Sequence, residues 1–230
     1  MTPTDMNKLN LKAWLGLAVV TFIMGLAIFL CAGTLRYWQA WCYLAVYAGC
    51  SGLITLYLMR YDPALLERRM RGGPTAEKER PQKIIMMAAS LAYVASLAVP
   101  ALDHRYHWSS LPVWVELAGD ALTVLSFYLV FRVFRENSYS AATVQIADGQ
   151  KVIDTGPYAR VRHPMYAGAS LLFLAPPLAL GSAWGMLAFV AALPVLIWRL
   201  LHEERFLARH LPGYQEYRAK VRWRLLPGVF

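Results

Sequence analysis

Four stretches of this chain run for 19 residues or more without an Asp, Glu, Lys or Arg, and they leave little choice of fold. Ala13–Leu35 and Tyr37–Met59 are 23 residues each, Ile84–Leu102 is 19, and Pro164–Trp198 is 35. A hydrocarbon core of about 30 Å is crossed by roughly 20 apolar residues in a helix. In hydrocarbon every backbone N–H and C=O must be satisfied within the protein, so such runs are helical. The first three each read as one span. The first is longer than the apolar region of a secretory signal, about 7–15 residues. Its Cys31 follows Phe29 and Leu30 rather than small residues, so it reads as an uncleaved span. As a single helix, the 35-residue run would extend about 52 Å. Pro176-Pro177 and Gly181-Ser182 interrupt it, which predicts a helical hairpin over 164–198 with two short arms.

A fourth candidate span, about Pro112 to Arg132, carries Glu116 and Asp120. Four apart, they share a helical face. Snorkelling towards a membrane surface and a polar path through the bundle are both open readings. With it, the expectation is an all-α integral membrane protein of about six segments.

Charge gives the orientation. Six segments put both termini and the even-numbered loops on one side, and that side holds every Lys and Arg of the 23 except Arg36 and Arg105. This bias predicts cytoplasmic termini. It also accounts for a net charge of +9 in a chain that is 58% hydrophobic and only 16% charged. Disorder is excluded by that composition, and a nucleic-acid binder would not be so apolar. Cys31, Cys42 and Cys50 lie in apolar runs without Cys-x-x-Cys spacing, and no ligand spacing for a metal is evident. Residues 60–83, with Gly72-Gly73-Pro74, read as a mobile cytoplasmic loop. The chain divides into N-terminal membrane helices, 1–135, and a core at 136–230.

Polar residues gather on both flanks of the predicted hairpin. Before it runs Thr143 to Gly168, including Gln145, Gln150, Lys151, Val152, Ile153, Gly156-Pro157-Tyr158 and Arg162-His163-Pro164-Met165-Tyr166. After it comes Arg199-Leu200-Leu201-His202-Glu203-Glu204. A hairpin brings its ends together, so the two clusters should meet at the cytoplasmic membrane surface. Pro164 suits a first helical turn, with His163 just outside. His163 and Tyr166 can share a face and offer ring surfaces and hydrogen bonds. Arg199 and Glu203, four apart, also share one, which is equally the pattern of an ordinary helical ion pair. Glu204 points elsewhere.

These residues resemble the isoprenylcysteine carboxyl methyltransferase family and the related phospholipid N-methyltransferases. The resemblance rests on Gly156-Pro157-Tyr158 and Arg162–Gly168. It continues through Arg199, Glu203-Glu204, Gly213-Tyr214-Gln215-Glu216-Tyr217 and Arg224-Leu225-Leu226-Pro227, and covers about Gln145 to Pro227. It implies an integral-membrane enzyme using S-adenosylmethionine at a cytoplasmic-face site. The implied cofactor contacts are Gln145, Gln150, Lys151, Val152, Ile153, Tyr158, His163, Pro164, Met165, Tyr166 and Glu203. Arg199 is implied to hold the substrate carboxylate, and Arg199 and Glu203 form the implied catalytic pair. The expected partners are the bilayer and a lipophilic substrate entering from it, with no nucleic acid.

The groups allow two chemistries. A carboxylate acceptor is already ionised at neutral pH and needs alignment and desolvation rather than a base. This makes carboxyl O-methylation of an isoprenylcysteine-like or other lipophilic carboxylate the first reading. Phosphatidylethanolamine, protonated at neutral pH, would need a base such as Glu203, Glu204 or His163, with Arg199 on the phosphate. A transporter subunit or scaffold would explain the spans and charge bias but not the converging polar clusters. A sterol-reductase-like enzyme would take a nicotinamide cofactor instead.

Overall fold

The computed structural model describes residues 3–72, 80–143, 146–147 and 149–230. Among them the elements are α1 (Pro3–Ala32), α2 (Trp38–Tyr61), α3 (Pro63–Met70), α4 (Arg80–Tyr106), α5 (Val113–Glu136), a 3₁₀ turn (Gly156–Ala159), α6 (Pro164–Ala179), α7 (Gly185–His210) and α8 (Tyr214–Lys220). No strand occurs among the described residues. Five helices, α1, α2, α4, α5 and α7, are long and apolar enough to cross a membrane, and α6 is a shorter apolar helix of 16 residues. The chain is an all-α integral membrane protein.

The helices pack as a ring, α1 against α2, α2 against α5, then α6, α7 and α4, which returns to α1. Their outer faces keep large apolar side chains exposed, among them Leu15, Phe22, Leu53, Leu91 and Leu187, as a lipid-facing surface requires. The α5–α6 contact is the closest. A Cβ on Gly119 would lie 2.7 Å from Ala179 Cα, so the two backbones touch through a glycine.

Two expectations change here. The hairpin does not have two short arms. Pro176 and Pro177 sit in the last turns of α6, and the chain turns after Leu180, with Gly181 at φ 72°. The second arm is 26 residues long, because α7 passes through Pro194 and continues to His210. Strong helix formers follow the apolar part, so Arg199–Glu204 are interior to a helix rather than beyond it. The 60–83 loop is also partly ordered. Asp62 accepts from Leu65 N at 2.9 Å and Pro63 opens α3, a side-chain cap followed by proline at the first helical position. Leu65 and Leu66 bury against Leu9, Leu58 and Phe134. Residues 73–79 of that loop lie outside the described ones.

The end of the bundle away from the Lys- and Arg-rich loops is tied by buried oxygens. Asp103 accepts from Ser109 N at 2.6 Å and from the Ser109 and Ser182 hydroxyls. Ser182 Oγ in turn accepts from Gly185 N at 2.9 Å, at the start of α7. Tyr37 donates to the Leu180 carbonyl at 2.6 Å. Glu116 and Asp120 do not snorkel. Both are buried, Glu116 accepting from Gln39 Nε2 at 3.0 Å and Asp120 from Cys42 Sγ at 3.0 Å. Placing them inside the bundle removes two charges from the lipid face.

Gly119→Leu should force α5 and α6 apart and destabilise the fold by at least about 1–3 kcal/mol, the usual range for overpacking. A lowered unfolding temperature in detergent checks this; an unchanged one would mean that the helices separate freely.

Candidate functional site

The described residues between α5 and α6 and the tail after α8 lie at the basic end, where the structure forms a cavity of about 320 Å³. This is at the small end of the range for ligand sites. Its wall takes residues from both polar flanks of the hairpin: Gln150, Lys151, Val152, Ile153, Tyr158, His163, Pro164, Met165 and Tyr166 from one, Arg199 and Glu203 from the other. All the site residues expected from the sequence are therefore brought together except Gln145, which lies outside the described residues.

How the chain holds them follows from the tail. Arg162 N donates to Trp223 O and His163 N to Arg224 O, each at 2.9 Å, so residues 162–163 and 223–224 run as a short backbone pair. Below it sits Glu204, only 3% exposed. Its carboxylate meets Arg162 Nη2 at 2.8 Å, Arg224 Nε at 2.7 Å and Arg218 Nε at 3.2 Å. Arg162 also donates to Val221 O at 3.0 Å and Arg222 O at 3.2 Å. Glu204 thus ties α7, the start of α6, α8 and the tail into one body, while its neighbour Glu203 faces the cavity. The 100° step between adjacent helical residues divides the two carboxylates between support and site.

Within the cavity, Tyr166 OH donates to Glu203 Oε2 at 2.5 Å. The His163 ring stands edge-on to Tyr166, centroids 5.7 Å apart. His163 is 4% exposed, and its Nε2 is buried with no hydrogen-bond partner among the described residues. Burial pushes its pKa below the usual histidine value, against the upward pull of Glu203 and Glu204. At neutral pH the ring is uncharged, with a free nitrogen in the wall. Tyr158 is pushed up to about 12, chiefly by burial, and its hydroxyl accepts from Asn137 Nδ2 at 3.0 Å. It therefore serves as a neutral ring and hydroxyl. Gln150 Oε1 accepts from Ala147 N at 3.0 Å, so part of that side chain shapes its own turn.

Arg199 Nη2 donates to Ala142 O at 3.1 Å, and its Nη1 lies 3.4 Å from Gln82 Oε1. Gln82 is fully buried on α4 and its amide nitrogen meets His202 Nδ1 at 2.6 Å. The sequence reading missed Gln82. It also missed Arg69 on α3, the 139–143 strap, and Tyr214 and Tyr217, which complete the wall. Asp62-Pro63 would have signalled α3. Nothing local to Gln82 marks its role.

Replacing Glu204 with Ala leaves Arg162 buried without its counter-charge. It should destabilise the chain by about 3 kcal/mol, the cost of breaking one side of a buried pair. The check is a thermal unfolding curve in detergent, where an unaltered midpoint would deny Glu204 its central place.

None of the curated proteins compared matches the chain. Residues 114–213 match the family model for phospholipid methyltransferase. This span contains α5, α6 and α7 and most of the cavity wall. Over the stretch that builds its site, the chain is similar to the phospholipid methyltransferases, and it is a membrane methyltransferase.

Proposed function

We propose that the cavity binds S-adenosylmethionine and that the acceptor is a lipophilic molecule whose polar head lies at Arg199. The observation that carries this reading is the convergence of His163, Tyr166, Arg199 and Glu203 on one small cavity. The residues fit such a cofactor. His163 Nε2 is a buried polar atom that needs a partner. Tyr158 and Tyr166 offer ring surfaces, the 150–153 strip offers backbone groups, and Glu203 offers a carboxylate suited to a cation. When bound, the cofactor supplies an electrophilic methyl group on a sulfonium.

The chain's own residues do the rest. Arg199 presents a planar fork that fixes the orientation of a carboxylate. Gln82 and the Ala142 carbonyl hold that fork in place. Glu203, hydrogen-bonded to Tyr166, places a carboxylate beside the donor. The wall includes apolar groups such as Met86, Ala89, Met165 and Leu196, and such surroundings favour a reaction in which charge cancels. Carboxyl O-methylation of an isoprenylcysteine-like or similar lipophilic acid is the first reading, since an ionised nucleophile needs no base. N-methylation of phosphatidylethanolamine is the second. It is supported by the phospholipid methyltransferase match. In both readings 136–230 is the catalytic core, 1–135 its membrane support, and the basic end faces the cytoplasm.

Titration in detergent should give binding of S-adenosylhomocysteine and none of NADPH; absence of the first would overturn the reading. Radiolabelled methyl transfer to a farnesylcysteine analogue or to phosphatidylethanolamine then separates the acceptors, with base-labile product marking an ester. Arg199→Lys keeps charge but loses the fork. It should cut turnover by about tenfold or more while S-adenosylhomocysteine affinity stays within about twofold. Tyr166→Phe should weaken that affinity by about tenfold, through loss of a hydrogen bond to a charged group. The His163 pKa lies below 6.5, so binding that needs the neutral ring should be flat above pH 6.5 and fall only at lower pH. In His163→Gln that acid limb should vanish; its persistence would assign the limb to another group.

A further inference from the structure

Between α1 and α2 runs an apolar groove of about 1190 Å³. Small residues, Ala18, Ala45 and Ala48, line it between the rings of Phe22, Phe29 and Trp41. Phe22 and Trp41 are exposed, so the groove opens on the lipid face. The two helices meet where the Phe29 and Trp41 centroids are 4.7 Å apart and at Gly25, whose Cβ would lie 3.6 Å from Leu44 Cδ1. Both walls extend from Leu35 at the mouth to the level of Phe22, about 20 Å along α1; on α1 alone the lining continues to Trp14. Half of a hydrocarbon core is about 15 Å. The two-walled part thus matches the chains of a lipid from one leaflet better than a helix crossing both.

The mouth lies at the end away from the Lys- and Arg-rich loops. Trp41 Nε1 donates to Leu35 O there at 3.0 Å. The Arg105 guanidinium lies over Gly33 in the groove wall, where a Cβ would be 3.3 Å from Arg105 Cζ, and 5.5 Å from the Tyr106 ring centroid. Arg36, also exposed, follows Leu35. Of the 23 Lys and Arg, these two are the exceptions to the charge bias, and both stand at this mouth. The connections at that end, 33–37, 107–112 and 180–184, contain no Asp or Glu. Asp103, at the end of α4, and Glu116, at the start of α5, are buried and accept from Ser109, Ser182 and Gln39. Cations at that end face the membrane surface while carboxylates face the interior. An anionic head at Arg105, with its chains in the groove, meets both the charge and the apolar wall. A second copy seated here about a two-fold axis would bring the arginines of both copies to one seam, where they repel.

We propose that this groove is a binding site for an anionic phospholipid, its chains between α1 and α2 and its phosphate at Arg105 and Arg36. The site lies at the opposite end of the bundle from the cavity, outside the stretch that matches the family model, and stands independently of the methyltransferase reading.

The test is photo-labelling of the full chain in phosphatidylcholine vesicles carrying one of three probes with a diazirine in the acyl chain: phosphatidylglycerol, phosphatidylcholine or oleic acid. Trypsin, cleaving after Lys12, Arg36 and Arg60, releases α1 and α2 on separate fragments, 13–36 and 37–60. In wild type the phosphatidylglycerol probe should label both fragments at least about tenfold more than the phosphatidylcholine probe, since each arginine near a lipid surface contributes roughly fivefold. Arg105→Gln should lower that preference about fivefold, and Arg105→Lys should keep it within about twofold. Ala45→Phe, on the lipid face, should cut phosphatidylglycerol labelling of both fragments at least about fivefold at an unchanged unfolding temperature. Equal labelling by the two phospholipid probes in wild type, a preference intact in Arg105→Gln, or labelling intact in Ala45→Phe overturns the site. Oleic acid labelling as strongly as phosphatidylglycerol overturns a phospholipid occupant. A cross-linked dimer that disappears in Ala45→Phe assigns the groove to a second copy and also overturns the proposal. Should Ala45→Phe unfold, the two Arg105 variants decide.

Discussion

The carboxylate of Glu204, buried among Arg162, Arg218 and Arg224, is the contact on which the site's shape depends. Taking one carboxylate and an arginine such as Arg162 out of water is costly, and only close geometry with further hydrogen bonds offsets it. The structure meets that condition. Arg162 spends its other donors on carbonyls of the tail, and the backbone of 162–163 pairs with 223–224. As a result the start of α6 cannot move independently of α7, and His163, Tyr166 and Glu203 keep their mutual positions.

The bilayer supplies the second constraint. Irregular backbone is tolerated only outside hydrocarbon or inside protein. The described residues between α5 and α6, with one 3₁₀ turn among them, accordingly lie at the basic end of the bundle, where Ile146, Val152 and Tyr158 pack against α8. At the other end the connections are short, and Asp103, Ser109 and Ser182 satisfy their polar groups. One end is closed tightly while the other has the residues to enclose a ligand. That asymmetry leaves the cavity at the basic end of the bundle.

The apolar runs made the spans legible, because a bilayer demands length and lack of charge and little else. The order of the helices, the two polar flanks and their meeting could be read for the same reason: a return of the chain after Gly181 leaves no other arrangement. What could not be read were contacts made between distant segments. Gln82, fully buried on α4 and positioning Arg199, carries no local mark. Glu116 and Asp120 read first as snorkelling towards the membrane surface, since a helical face does not say which neighbour it meets. α3 was legible in principle from Asp62-Pro63, but its short length hid it within a polar loop.

The sequence by itself determined that this chain is helical, membrane-embedded and polarised, and that polar groups flank its last two apolar helices, because charge and hydrophobicity are properties of residues. Only the tertiary structure decided which carboxylate supports and which faces the cavity, and that Arg69 stands beside Arg199. Those outcomes depend on the rotation of α7 and the seating of α3, which are set by packing between segments distant in sequence, such as Arg69 with Ala141 and Arg162 with Glu204.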